Sequence, residues 1–200
     1  MITKKKRSRS NDHEEVCSQR LADALSEAGF ATYQEVTCWA PVNASKGYER
    51  RRVDIYAIPP EGSQWQARGV NSIVFEVKST ERTGDSIDAH YQAAGYLACW
   101  NYMAPESIPL PRPDIGILAL PHMLMPSTWS TRSATEVSII REYSDRFHWK
   151  RGLATLRCMR CGGEPWLGVL TNVGTRMRNQ EAIALIPWVD IYGPAVLREH

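Results

Sequence analysis

The chain has 200 residues, 43% of them hydrophobic and 23% charged, with a formal net charge of +2. That length and balance suit one globular domain with an ample core, and they exclude a disordered or polybasic chain as a whole. No apolar run approaches the ~18 residues that a membrane helix needs, so no membrane partner is expected.

Residues 1–11 (MITKKKRSRSN) form a basic tail without an apolar anchor. Such a tail is an arm that touches phosphates, a nuclear localisation signal, or simply a solvated terminus. It has no secretory hydrophobic stretch, and the five Cys are irregularly spaced. Free thiols and a cytoplasmic location are expected. Residues 12–29 read as a helix capped by Asn11 or Asp12 and ended by Gly29. Cys17, Leu21, Ala24, Leu25 and Ala28 make its apolar stripe. Glu14 continues the stripe one turn earlier, whereas His13 and Glu15 lie off it.

Ala31 to Trp39 reads as a first strand, and residues 40–50 as a polar loop. Arg50-Arg51-Arg52 then leads into the strand Val53 to Ile58. This triplet either holds a phosphate backbone or is a solvated strand edge. The next strand is Ser72 to Ser79. Alternation puts Ile73, Phe75 and Val77 on one face and Val74, Glu76 and Lys78 on the other. In the preceding strand Asp54 lies between Val53 and Ile55, which take the opposite face. Charged side chains on apolar strands cost free energy unless they are paired or bind a cation. Two carboxylates and a lysine at one spot suit a divalent cation and a water beside a phosphodiester.

A helix follows over 86–102, capped by Asp85, with Ile87, Tyr91, Ala94, Ala98 and Tyr102 as its core stripe. Gln92 and Tyr96 share a neighbouring face at i and i+4. They hydrogen-bond a phosphate or orient the attacking water, or they are an exposed Gln beside a packed Tyr. His90 either reaches DNA or is solvated. Residues 104–113 hold four Pro and read as a linker. Asp114 to Pro121 is a buried-type strand, reached by a crossover to the sheet edge.

Residues 122–132 look irregular and 134–147 helical. Leu153–Cys158, Trp166–Leu170 and Ile183–Val189 look like strands, with a hairpin turn at Gly162-Gly163. Residues 122–200 are thus expected as an α+β extension packed on a core spanning 12–121. Cys158-x-x-Cys161 is half of a zinc knuckle, and no second pair completes it. Trp129, Trp149, Trp166 and Trp188 are core residues by default, or stacking partners for unpaired bases.

The motifs Asp54, Glu76-Val77-Lys78 and Gln92-x-x-x-Tyr96 resemble those of the PD-(D/E)xK nuclease superfamily. The Gln-x-x-x-Tyr looks like the extra motif of its RecB-like and lambda-exonuclease-like branches. The resemblance covers residues 12–121 and rests on short motifs. Val53 stands where the Pro that names the family would be. The resemblance implies an α/β fold with a restriction-endonuclease-like α-β-β-β-α-β core, a central mixed sheet with helices on both sides. It implies a Mg²⁺-dependent DNA nuclease in which Mn²⁺ can substitute. Asp54 and Glu76 would ligate the metal, with the Val77 carbonyl and Glu14 assisting. Glu14 is otherwise an acid favoured by the helix dipole. Lys78 would position or activate water, Gln92 would act in catalysis, and Tyr96, Arg51 and Arg52 would bind substrate. A homodimer or a larger nucleoprotein complex is compatible with this. Some RecB-like nucleases also carry an iron–sulfur cluster, but a clustered third Cys behind the core is missing here. The alternative is a non-catalytic nucleic-acid-binding or scaffold protein that keeps the fold.

Overall fold

The computed structural model describes residues 9–41, 47–79, 83–120, 124, 152–161, 164–171 and 181–192. Most of the basic tail, the expected helix at 134–147, Trp129, Trp149 and the Gly162-Gly163 turn lie outside the described residues.

Helix α1 runs over Arg9–Glu27, starting inside the expected tail. Gly29, at φ 89°, reverses the chain after it, and the Phe30 N–H donates to Leu25 O. Only glycine adopts that conformation freely, so the helix ends as its sequence indicates. Cys17, Leu21 and Leu25 are fully buried along its inner face.

Strands β1 (Ala31–Pro41) and β2 (Tyr48–Ile58) form a long antiparallel hairpin in which Pro41 faces Tyr48. The expected loop at 40–50 is therefore shorter, and the arginine triplet lies within β2. Ladder hydrogen bonding outweighs the polar composition there. Strict alternation also breaks. Val53 and Ile55 fall in different core clusters rather than on one face. Glu35, which the register sets opposite Asp54, takes φ 56°, and this left-handed residue turns the hairpin at that point.

Strand β3 (Ile73–Val77) is buried along its whole length. Ile73, Phe75 and Val77 pack in one cluster with the α1 side chains, and Val74 packs in the other. Helix α2 covers Thr83–Ala98 and stops short of the expected end. Asn101 has φ 50°, and Tyr102 enters β4 (Trp100–Ala104) instead of continuing a helical stripe. Ala89, Ala93, Ala94, Tyr96 and Leu97 are buried positions of α2, so Ala94 of the expected stripe is in the core, whereas Tyr91 is 44% exposed. The Tyr102 hydroxyl donates to Tyr96 O, so β4 closes back on the helix. Part of the expected linker forms β5 (Ile108–Leu110). Its Pro109 is tolerated because β5 is an edge strand.

Strand β6 (Ile115–Ala119) is parallel to β3, so α2 lies in a crossover connection. It is not the sheet edge. Strand β7 (Gly152–Cys161) pairs parallel on its far side, followed by β8 (Glu164–Thr171) and β9 (Glu181–Pro187). Cys161 faces Glu164 across the β7–β8 hairpin. The described strands make one nine-stranded mixed sheet in the order β5-β4-β1-β2-β3-β6-β7-β8-β9. Helix α1 packs on the face of Ile73 and Phe75. Helix α2 packs on the other, where Gly116 meets Ala93 O. The chain is thus an α/β protein. Among the described residues, no helix is long and apolar enough to cross a membrane.

Candidate metal centre

The ladder between β2 and β3 runs Ala57–Ile73, Tyr56–Val74, Ile55–Phe75 and then stops. One step further would set Asp54 opposite Glu76. Instead, Asp54 Oδ2 accepts the Val77 N–H at 2.8 Å. A side chain takes the place of a backbone acceptor, so the buried N–H stays satisfied where the ladder ends. Strand β2 continues past this point to Tyr48, and a pocket of about 500 Å³ opens beside it. Glu14, Glu49, Arg51, Arg52, Asp54, Glu76, Lys78, Gln92 and Tyr96 line that pocket. Four elements separated in sequence supply them.

The three carboxylates converge. One oxygen each from Glu14, Asp54 and Glu76 lies within 4.8 Å of the others. Glu76 is 1% exposed. Lys78 Nζ reaches Glu14 Oε1 at 3.1 Å and is ion-paired with Glu76 Oε1. The Tyr96 hydroxyl is 2.7 Å from Glu76 Oε2 and 2.8 Å from Arg52 O, and it accepts from Gln92 Nε2 at 3.0 Å. Its single proton serves two acceptors. Tyr96 is itself buried, so its hydroxyl is committed to holding Glu76 and the β2 backbone.

Charge follows from this packing. Burial, and then repulsion from Glu76, push the Asp54 carboxyl up to about 8, against the lowering pull of Val77 N–H and Lys78. Burial also raises Glu76, opposed by the neighbouring Lys78 and by Tyr96. Burial disfavours the Lys78 charge, but Glu76 and Glu14 outweigh it and hold the ammonium charged. Burial raises the Tyr96 phenol, with Glu76 and Asp54 adding to it, so it remains a donor.

Eight of the nine residues expected from the sequence line the pocket; Val77, expected to assist through its carbonyl, is not among the lining residues and instead donates its N–H to Asp54. The arginines differ in their surroundings. Arg52 Nη1 pairs with Glu35 Oε2 at 2.6 Å, and 61% of its side chain is exposed. Arg51 is 3.8 Å from Glu49 Oε2. Glu49 and Glu35 were missed in the sequence. Glu49 sits two residues from Arg51 on one strand, so alternation finds it once residues 48–52 are read as strand rather than loop. Cys158, which with Cys161 makes only half of a zinc knuckle, is a buried free thiol on β7.

No protein-family model, curated protein or solved structure matches this chain.

Proposed function

We propose that this chain is a divalent-metal-dependent deoxyribonuclease with a restriction-endonuclease-like core. The observation that carries the reading is the meeting of Glu14, Asp54 and Glu76 oxygens within 4.8 Å, beside Lys78, in an open pocket lined by arginines. The donor set fits a hard cation such as Mg²⁺, with Mn²⁺ as a substitute, since every donor is a carboxylate oxygen. The raised Asp54 pKa fits it too, because a cation offsets the burial and the repulsion from Glu76 that together keep a proton there. A cation bound at these carboxylates supplies a water of lowered pKa and neutralises charge on the phosphate.

The chain's own residues do the rest. Asp54 and Glu76 hold the cation, and Glu14 closes the site from α1. Lys78, kept charged by its two glutamates, offsets the negative charge that develops on the phosphorane. Tyr96 and Gln92 fix the orientation of Glu76, and Arg51 and Arg52 face the phosphodiester backbone.

The test is cleavage of linear and closed-circular DNA with Mg²⁺ or Mn²⁺. Asp54→Ala and Glu76→Ala are expected to abolish cleavage and weaken Mn²⁺ binding. Lys78→Ala is expected to abolish cleavage and retain the metal, because Lys is no ligand. Normal cleavage by Asp54→Ala, or activity that survives EDTA, sinks the proposal in favour of a non-catalytic nucleic-acid-binding protein.

A further inference from the structure

Of the three arginines on β2, Arg51 has a seat. Its Nη1 lies 2.7 Å from where a Cβ on Gly95 would stand, closer than such atoms approach. The missing side chain of Gly95 is therefore the space that the guanidinium occupies. Gly95 lies in α2 beside Tyr96 and one turn from Gln92, and Arg51 lines the same pocket as both. Glycine inside a helix is disfavoured relative to alanine, so this residue runs against local propensity. The contact with Arg51 supplies a reason for it.

The seat matters because the other charges nearby are engaged. Arg52 is paired with Glu35 at 2.6 Å, and Lys78 is paired with Glu14 and Glu76. Among the described residues, the carboxylate that pairs with Arg51 is Glu49 at 3.8 Å, too far for a hydrogen bond. About a third of its side chain remains exposed, at 36%. A planar fork of donors held against a helix backbone, facing a pocket, suits two phosphate oxygens at once. Holding it in advance also reduces the freedom lost on binding.

We propose that Arg51, seated on Gly95, clamps a phosphate of the nucleic-acid backbone next to the scissile one, and that Gly95 is a positioning residue for it. This rests on the deoxyribonuclease reading and adds to it the residue pair that sets substrate register. The clash in a Gly95→Ala protein falls on the free end of a flexible side chain. The helix is expected to accept the methyl while the guanidinium swings out.

The experiment is binding of a fluorescein-labelled DNA duplex by anisotropy, across a salt series, with Ca²⁺ in place of Mg²⁺. Thermal melts of each variant and a parallel Mg²⁺ cleavage assay of the parent accompany it. Arg51→Ala should weaken binding about tenfold, as for one charge-assisted contact. It should also flatten the slope of log K against log salt by about 0.9. Gly95→Ala should weaken binding in the same direction while melting at or above the parent temperature. In an Arg51→Ala background, Gly95→Ala should cost nothing more, because its effect runs through Arg51. Parental binding by Gly95→Ala, or an equal further loss in the Arg51→Ala background, overturns the inference while leaving the nuclease reading intact. Should Gly95→Ala fail to fold, the Arg51→Ala slope decides alone, and a parental slope overturns the inference. A parent that neither binds nor cuts DNA overturns both.

Discussion

Burial and the neighbouring Glu76 hold the Asp54 carboxyl far above its ordinary range. Its pKa of about 8 stands against an ordinary value of 3.8. The folded state therefore keeps a proton between about pH 4 and 8 that the unfolded chain has lost, so this group's contribution to stability falls as pH rises through that window. Above it the full cost is present, on the order of a few kcal/mol. Asp54→Asn keeps an acceptor for the Val77 N–H and removes the charge. In EDTA at pH 9 that variant is expected to melt above the parent, with the gap closing towards pH 5. Adding Mg²⁺ should raise the parent's melting temperature and leave the variant's unchanged. A parent that is the more stable protein at pH 9 without metal would show that burial does not penalise this carboxylate.

Among the elements, α2 does the most to shape the site, and its distance from the sheet is set by a second glycine. A Cβ on Gly116 would lie 2.9 Å from Ala93 O and 3.5 Å from Leu153 Cδ1. Backbone cannot swing aside as the Arg51 head group can. Gly116→Ala is thus an overpacking change, expected to cost about 1–3 kcal/mol. It should also lift Tyr96 from Glu76 and so weaken Mn²⁺ binding. Calorimetric melting and a Mn²⁺ titration test this, and an unchanged melting temperature would mean that the β6–α2 contact has slack. The contrast with Gly95 is instructive. Two glycines in contact with or on one helix meet different kinds of atoms, and the sign of each stability effect follows from that.

At the scale of the whole molecule, the sheet does not end with the strands that carry the site. Leu156, Leu167, Val169 and Ile183 from β7, β8 and β9 are buried in the same cluster as Leu21 and Phe75. The parallel β6–β7 ladder joins them to the centre of the sheet. A fragment ending at residue 121 would bare that ladder edge and the apolar side chains behind it. Such a fragment is expected to aggregate or to unfold without a cooperative transition. A soluble fragment with a sharp melt and retained Mn²⁺ binding would show that the first part of the chain is an autonomous unit.

Much of this was decided locally and could be read from the chain. Gly29 ends α1 because its conformation is a property of one residue. The apolar alternation of Ile73 to Val77 marks a buried strand whatever packs on it. Asp54, Glu76 and Lys78 stand out because charge on such strands is costly. Other features depended on contacts between distant residues. Residues 100–104 have a spacing that fits helix and strand alike, and pairing with β1 settled it. Val53 left the face of Ile55 because Glu35, on another strand, turned the hairpin. Glu14 reached Lys78 across 64 positions of sequence, and Arg51 found its seat on a glycine 44 residues away. Periodicity and capping act over a few residues, so the sequence alone could single out the charged groups on the buried strands. Which groups meet, and at what protonation, depended on burial and on the closing of the sheet, and those exist only in the folded chain.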